Sequence, residues 1–222
     1  MIRRNRAILP HAMLPVVACL AFACLHPPEL QADSMSAPPV VVVHGDQSLP
    51  NEAERRFALS LGRNAARWLH AAGLENDRIG ESELSGGLAG RRVAVLVYCA
   101  RPGTEEIQAL REFLNRGGRL VVCYSMSPEL ANLMGVKLAG YERDGHGDRW
   151  AQMRLVAERP ANTPGFVRQS SPNLFKIEPL PGRSSVLGWW HDAQGRPTGE
   201  VAWLRCERGF WMSHVLLGDG DA

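Results

Sequence analysis

The stretch spanning residues 92–135 constrains the fold more than any other part of the chain. Residues 93–97 are an unbroken run of β-prone apolar side chains, the pattern of a parallel strand covered on both faces. Thr104 follows as a helix N-cap, ahead of Glu105 and Glu106, where the helix dipole favours acids. Ile107, Leu110, Phe113 and Leu114 share one helical face, and Gly117 supplies a left-handed stop. Residues 120–123 read as the next buried strand. Ser127 then caps another helix, with Pro128 at its first position and Gly135 at its end. Two parallel strands joined by a helix need a right-handed crossover, so this stretch is a βαβ unit of an open α/β sheet.

The same alternation precedes it. Residues 40–43 predict a first buried strand ending at His44-Gly45-Asp46. Ser48 and Pro50 open a long helix whose buried stripe is Phe57, Leu61, Ala65, Trp68 and Leu69, stopped at Gly73. Residues 78–83 predict a second strand. Residues 39–141 therefore read as βαβ-βαβα, the α/β core of a flavodoxin-like three-layer sandwich. Beyond Gly135 the pattern changes. An edge strand is expected at 136–141, a charged Gly/His loop at 142–148 and a strand at 150–156. A Pro/Asn/Gly-rich connection follows at 157–171. Residues 186–191 and 200–206 flank a glycine turn at 192–196, and a last strand is expected at 210–217 after a tight turn at Glu207-Arg208-Gly209. Residues 142–217 are thus expected to be an appended antiparallel β-rich section that completes the domain.

The two ends read differently. Arg3, Arg4 and Arg6 precede a mostly apolar run at 7–25, which Pro27-Pro28 breaks, and Leu30-Gln31-Ala32 offers a small residue before a cut at Asp33. Residues 1–32 are expected to be a cleaved export signal, with 33–38 a short lead-in. The alternatives are an uncleaved anchor or a lipoprotein, for which Val16-Val17-Ala18-Cys19 and Ala21-Phe22-Ala23-Cys24 are the candidate lipoboxes. At the other end Gly218-Asp219-Gly220-Asp221-Ala222 reads as the start of a linker. Loss of the leader lowers the 25 basic and 23 acidic residues to 22 of each, a net charge of zero. No basic stripe remains, which excludes nucleic acid as an expected partner. Cys99, Cys123 and Cys206 stay in the exported chain. Cys99 and Cys123 end neighbouring strands, where either a cross-strand disulfide or two buried free thiols are open, and no Cys-x-x-Cys pair suggests zinc.

Ligands of open α/β sheets sit outside the carboxyl ends of the strands, an edge that here holds His44, Asp46, Tyr98, Cys99, Tyr124, Ser125 and Ser127. The first loop has one glycine, Gly45, and the chain has neither a Gly-x-Gly-x-x-Gly nor a Walker A motif, so no nucleotide cofactor is expected. Thr104 and Ser127 open helices that could take an anion, although plain caps explain them. His44, Asp46, His146, Asp148, His191, Asp192 and His214 match no metal template in their spacing, so no metal is expected. Five of the six tryptophans lie beyond residue 149. They could form a sugar platform. The plainer reading is core packing, with Trp189 and Trp190 on opposite faces of one strand and one of them left for a ligand or an interface.

The run Phe113-Leu114-Asn115-Arg116-Gly117-Gly118-Arg119-Leu120-Val121-Val122, followed by Leu133-Met134-Gly135, resembles the class I glutamine amidotransferase-like fold. It is most similar to the noncatalytic domains of this kind attached to bacterial glycoside hydrolases, such as the trimerisation domain of β-galactosidases. Residues 208–219, Arg-Gly-Phe-Trp-Met-Ser-His-Val-Leu-Leu-Gly-Asp, resemble the end of such a domain in secreted proteins that continue into a family-10-like glycosylhydrolase barrel. The resemblance implies an accessory or interaction domain, partnered by an adjacent glycosidase-like domain or by its own copies, and by carbohydrate. An active amidotransferase carries a Gly-x-Cys-x-Gly elbow, in which glycines permit a strained strand-to-helix turn and backbone N–H groups stabilise an oxyanion. Here the strand ends Cys123-Tyr124-Ser125-Met126-Ser127, with Tyr124 or Ser125 at the nucleophile's place and no glycine beside it, so the elbow is expected to be missing. His214 stands where the family's histidine would, and Leu216 replaces its acid. A hydrolase using Ser125 or Ser127 with His214 is the alternative, and a sugar- or metal-binding module is another.

Overall fold

The computed structural model describes residues 37–144 and 148–217. The expected leader with its candidate lipoboxes, His146 and the glycine-rich stretch at 218–222 lie outside the described residues. Four parallel strands open the fold: β1 (Val40–His44), β2 (Asn76–Gly80), β3 (Val93–Tyr98) and β4 (Arg119–Cys123). Helix α1 (Glu52–Ala71), a short α2 (Leu84–Gly87), α3 (Thr104–Asn115) and α4 (Pro128–Met134) lie between or after them. A ribbon strand β5 (Val136–Arg143) follows, then β6 (Trp150–Leu155), β7 (Phe166–Ser171), β8 (Asn173–Pro179), β9 (Ser184–His191), β10 (Pro197–Cys206) and β11 (Gly209–Met212).

The main sheet runs β2-β1-β3-β4-β11-β10-β9-β6-β7. Its first five strands are parallel, in the 2-1-3-4-5 order of flavodoxin-like sheets with β11 in the fifth place. The last four run antiparallel to their neighbours and extend that same sheet. The edge strand expected at 136–141 instead pairs with β8 in a separate two-stranded ribbon, register Tyr141 opposite Phe175. Residues 157–171, expected as a connection, contain β7, and the strand expected at 210–217 stops at Met212.

Period-two alternation distributes the core to both faces of the sheet. Val40, Val42, Val95, Trp203 and Phe210 pack on the α1 side, whereas Val41, Val43, Leu96, Leu204 and Trp211 pack under α3 and α4. β11 fits against β4 because Gly209 has no side chain: a Cβ there would lie 1.8 Å from the Leu120 carbonyl oxygen, at a φ of +139°. Helix starts shift slightly from expectation. Asn51 caps α1 by accepting from the Glu54 N–H at 2.9 Å, and Ser48 instead donates its N–H and hydroxyl to the buried carboxylate of Glu81. Gly103, not Thr104, is the N-cap of α3. Ser127, Pro128 and the left-handed Gly135 bound α4 as the sequence predicts. Phe57, expected in the buried stripe of α1, is 38% exposed, and Ala58 is buried instead, packed with Leu49 and Ala100. The second strand ends at Gly80, short of its predicted limit, because Glu81 turns inward to meet Ser48.

Candidate functional site

β1, β3, β4 and β11 all end at one edge of the sheet. Above the last three lies a cleft of about 1020 Å³, walled by the start of α1 and the β5–β8 ribbon. Its centre is Tyr124, the residue directly after β4. Tyr124 has φ +55°, and with Asn162 it is one of two described non-glycine residues at positive φ. Such a conformation costs about 1–3 kcal/mol and persists where neighbours over-determine it. The Tyr124 N–H donates to the Met212 carbonyl at 3.1 Å, and Met126 N–H donates to the Ala100 carbonyl at 3.0 Å. The Tyr124 hydroxyl donates to Asn173 Oδ1, and its ring lies 4.3 Å from Phe175 and 5.4 Å from Tyr98, centroid to centroid. A strained strand-to-helix turn is therefore present without flanking glycines, which corrects the expectation of a missing elbow. The strained residue is Tyr124, not Ser125, and burial pushes its hydroxyl well above the ordinary tyrosine range.

His214 borders the same cleft, its ring 5.2 Å from that of Tyr124. It is held from β7. Gln169 Nε2 donates to the Val215 carbonyl at 2.8 Å, Leu217 N–H donates to Gln169 Oε1 at 3.3 Å, and His214 Nδ1 lies 3.1 Å from that same Val215 oxygen. Gln169 Nε2 lies 3.3 Å from Nδ1 as well, so Nδ1 faces one acceptor and one donor, and His214 Nε2 is left for a partner of either kind. Burial lowers the His214 pKa to about 4.

The two serines of the hydrolase alternative are engaged elsewhere. Ser125 Oγ donates to the Ala100 carbonyl at 3.3 Å and accepts from the Ser127 N–H at 3.4 Å. Ser127 Oγ caps α4, accepting from Leu130 N–H at 3.2 Å, and donates to Glu129 at 3.2 Å. His214 is a partner of neither.

His44 lies beneath α1, away from the cleft, and burial lowers its pKa. Asp46 fastens the loop after β1 by accepting from the Ser82 N–H at 3.0 Å and the Ser82 hydroxyl at 2.6 Å. Asp192 closes the β9–β10 turn, accepting from Gln194, from Arg196 N–H and from its guanidinium. Among the described residues no three His, Cys, Asp or Glu side chains converge as a metal site would require. Trp190 is fully buried and donates its indole N–H to Ser213 Oγ at 2.8 Å, while Trp189 on the opposite face is 37% exposed. Trp150, Trp203 and Trp211 are fully buried too, so no row of exposed indoles forms. Cys99, Cys123 and Cys206 are free and buried. Desolvation raises all three thiol pKa values, that of Cys206 to about 12.

The cleft also draws on residues that sequence reasoning missed. Glu54 accepts from the Tyr98 hydroxyl at 3.0 Å, and Phe57, Arg101, Tyr141, Asn173 and Phe175 complete the wall. Glu54 and Phe57 carry helical spacing that reads as ordinary surface and stripe, and the ribbon residues become visible only when β5 pairs with β8. Among the described residues no helix is long and apolar enough to cross a membrane.

No protein-family model and no curated protein matches the chain in sequence. Solved structures match in fold. A ThuA-like protein from Bacteroides uniformis aligns at TM-score 0.56 and 13% identity, over 84% of this chain and 86% of that one. An exo-β-1,4-mannosidase from an Opitutaceae bacterium aligns at 0.55 and 17% over 80% of this chain. An α-L-fucosidase from Paenibacillus thiaminolyticus aligns at 0.56 and 14% over 81%. The chain spans 31% of the mannosidase and 29% of the fucosidase, under a third of either. The fold is glutamine amidotransferase-like, a mixed α/β architecture shared with portions of large glycosidases.

Proposed function

We propose that this chain is an exported, noncatalytic amidotransferase-like module that serves a glycosidase-type catalytic domain, fused to it or bound beside it, as an interaction or access element. One observation carries this reading. The strained turn that would present a nucleophile presents Tyr124, whose hydroxyl is committed to Asn173 and held protonated by burial. The thiolate is the reactive form of cysteine, and all three described thiols are buried with raised pKa values. The fold shared with less than a third of each glycosidase chain supports the accessory role.

Two measurements test it. The purified chain should release no ammonia from glutamine, and a glutamine-analogue alkylator should leave Cys123 unlabelled; rapid labelling there would refute the noncatalytic assignment. Mass spectrometry of the native protein isolated from its source should find a glycosidase barrel in the same polypeptide or in a stoichiometric complex. A lone species with no such partner would remove the accessory role. Export makes a separate prediction: N-terminal sequencing of secreted material should begin at Asp33 or within about two residues of it, and an intact Met1 on cytosolic protein would end that part of the proposal.

A further inference from the structure

We propose that the cleft over Tyr124 is a binding site for a neutral saccharide, with aromatic rings as its wall and Glu54, Arg101, Asn173 and His214 Nε2 as its polar contacts. The rings form a continuous chain. Phe57 lies 6.3 Å from Tyr98, Tyr98 5.4 Å from Tyr124, Tyr124 4.3 Å from Phe175, and Phe175 5.4 Å from Tyr141. The chain is buried in the middle and open at both ends, where Phe57 is 38% and Tyr141 55% exposed. Core aromatics do not end in solvent on both sides, whereas the wall of a binding cleft does. The cleft volume of about 1020 Å³ lies at the upper end of what small-molecule sites occupy.

The polar groups narrow the ligand. His214 is 4% exposed, its Nδ1 lies between the Val215 carbonyl at 3.1 Å and the Gln169 amide at 3.3 Å, and Nε2 has no hydrogen-bond partner among the described residues. A histidine nitrogen at the lining of a cleft can donate to or accept from a ligand hydroxyl, according to its tautomer. Glu54 uses one carboxylate oxygen on Tyr98, and Asn173 uses its carbonyl oxygen on Tyr124, which leaves its amide hydrogens as donors. Arg101 makes no hydrogen bond or ion pair among the described residues. The wall therefore offers acceptors and donors together, with one acid against one base. That balance disfavours a phosphate or another anion, which would need several cations or a cradle of free amides. A neutral sugar fits both demands, since its hydroxyls donate and accept while its C–H faces pack on rings. The site needs no turnover and so sits comfortably with the noncatalytic reading, but it stands or falls separately from the accessory role.

The test is equilibrium binding to the full chain, followed by protein-observed NMR. The probes are the methyl glycosides of glucose, galactose, mannose, fucose and N-acetylglucosamine, the β-1,4-linked disaccharides, and adenosine as an aromatic comparator. At least one saccharide should bind with Kd of about 1 mM or tighter. Tyr141→Ala and Glu54→Gln should each weaken it about tenfold, as loss of an energetically important contact does, with a dispersed amide spectrum showing that the fold is kept. Trp189→Ala, outside the cleft, should leave affinity unchanged. No binding by any saccharide, binding indifferent to both cleft variants, or tighter binding of adenosine would overturn the proposal. Hydrolysis of a bound disaccharide would instead keep the site and overturn the noncatalytic reading.

Discussion

His214 is neutral at physiological pH because its ring is withdrawn from water, and the resulting pKa of about 4 lies below the ordinary value of 6.5. Between those two values the unfolded chain binds a proton that the folded one refuses, so stability rises with pH across that window and is lost as pH falls through it. The full effect is about 3 kcal/mol. His44, also lowered by burial, adds in the same sense. Glu81 acts oppositely: burial raises its pKa, so its contribution weakens as pH rises above the ordinary carboxylate value. Urea unfolding at pH 7 and pH 5 should show a marked loss at the lower pH, and His214→Gln should remove most of that difference. An unchanged slope in the variant would place the effect elsewhere. A second substitution tests Glu81. Glu81→Gln should raise Tm at pH 8 and change it little at pH 4, because the wild-type carboxyl is already protonated there. At this scale the sequence was legible for identity and silent on conformation. His214 and Tyr124 stand out from the strand pattern, yet nothing in Cys123-Tyr124-Ser125 announces a positive φ, because glycine is the residue that ordinarily signals one.

Among the elements, β1, β3 and β4 of the parallel half, unlike β2, were readable because valine-rich runs mark strands buried on both faces. β7 was not. Its inward residues include Gln169 and Ser171, which bond the segment after β11 and Asn173, so the apolar alternation that marks a strand is replaced by polar residues with local work. The partners of β5 and β11 were equally hidden, since pairing is a long-range choice that periodicity does not encode. The β9–β10–β11 block allows a clean comparison of two buried tryptophans. Trp190 donates its indole N–H to Ser213, whereas the indole N–H of Trp203 has no partner among the described residues; both rings are fully buried. Trp190→Phe and Trp203→Phe remove similar volume, so their difference isolates the hydrogen bond. Trp190→Phe should be the more destabilising by about 1 kcal/mol, the net worth of such a bond. Equal losses in chemical denaturation would show that the Ser213 contact contributes nothing.

At the scale of the whole molecule, the order of strands in space decides what can fold alone. β11 comes last in the described chain but sits between β4 and β10, near the middle of the nine-stranded sheet. Without it, β4 would expose an unpaired edge whose Leu120, Val121 and Val122 are fully buried in the complete chain. Both core faces would lose large side chains as well, Phe210 and Met212 from one and Trp211 from the other. The α/β half and the β-rich half therefore share one core rather than each owning one, and a domain is defined by its core. A fragment ending at residue 144 should fail to reach a packed state, giving a poorly dispersed amide spectrum, while the chain through residue 217 should unfold in a single transition with circular dichroism and tryptophan fluorescence coincident. A well-dispersed, cooperatively unfolding fragment of residues 37–144 would show that the parallel half stands without its fifth strand, and the chain would then have to be divided into two domains.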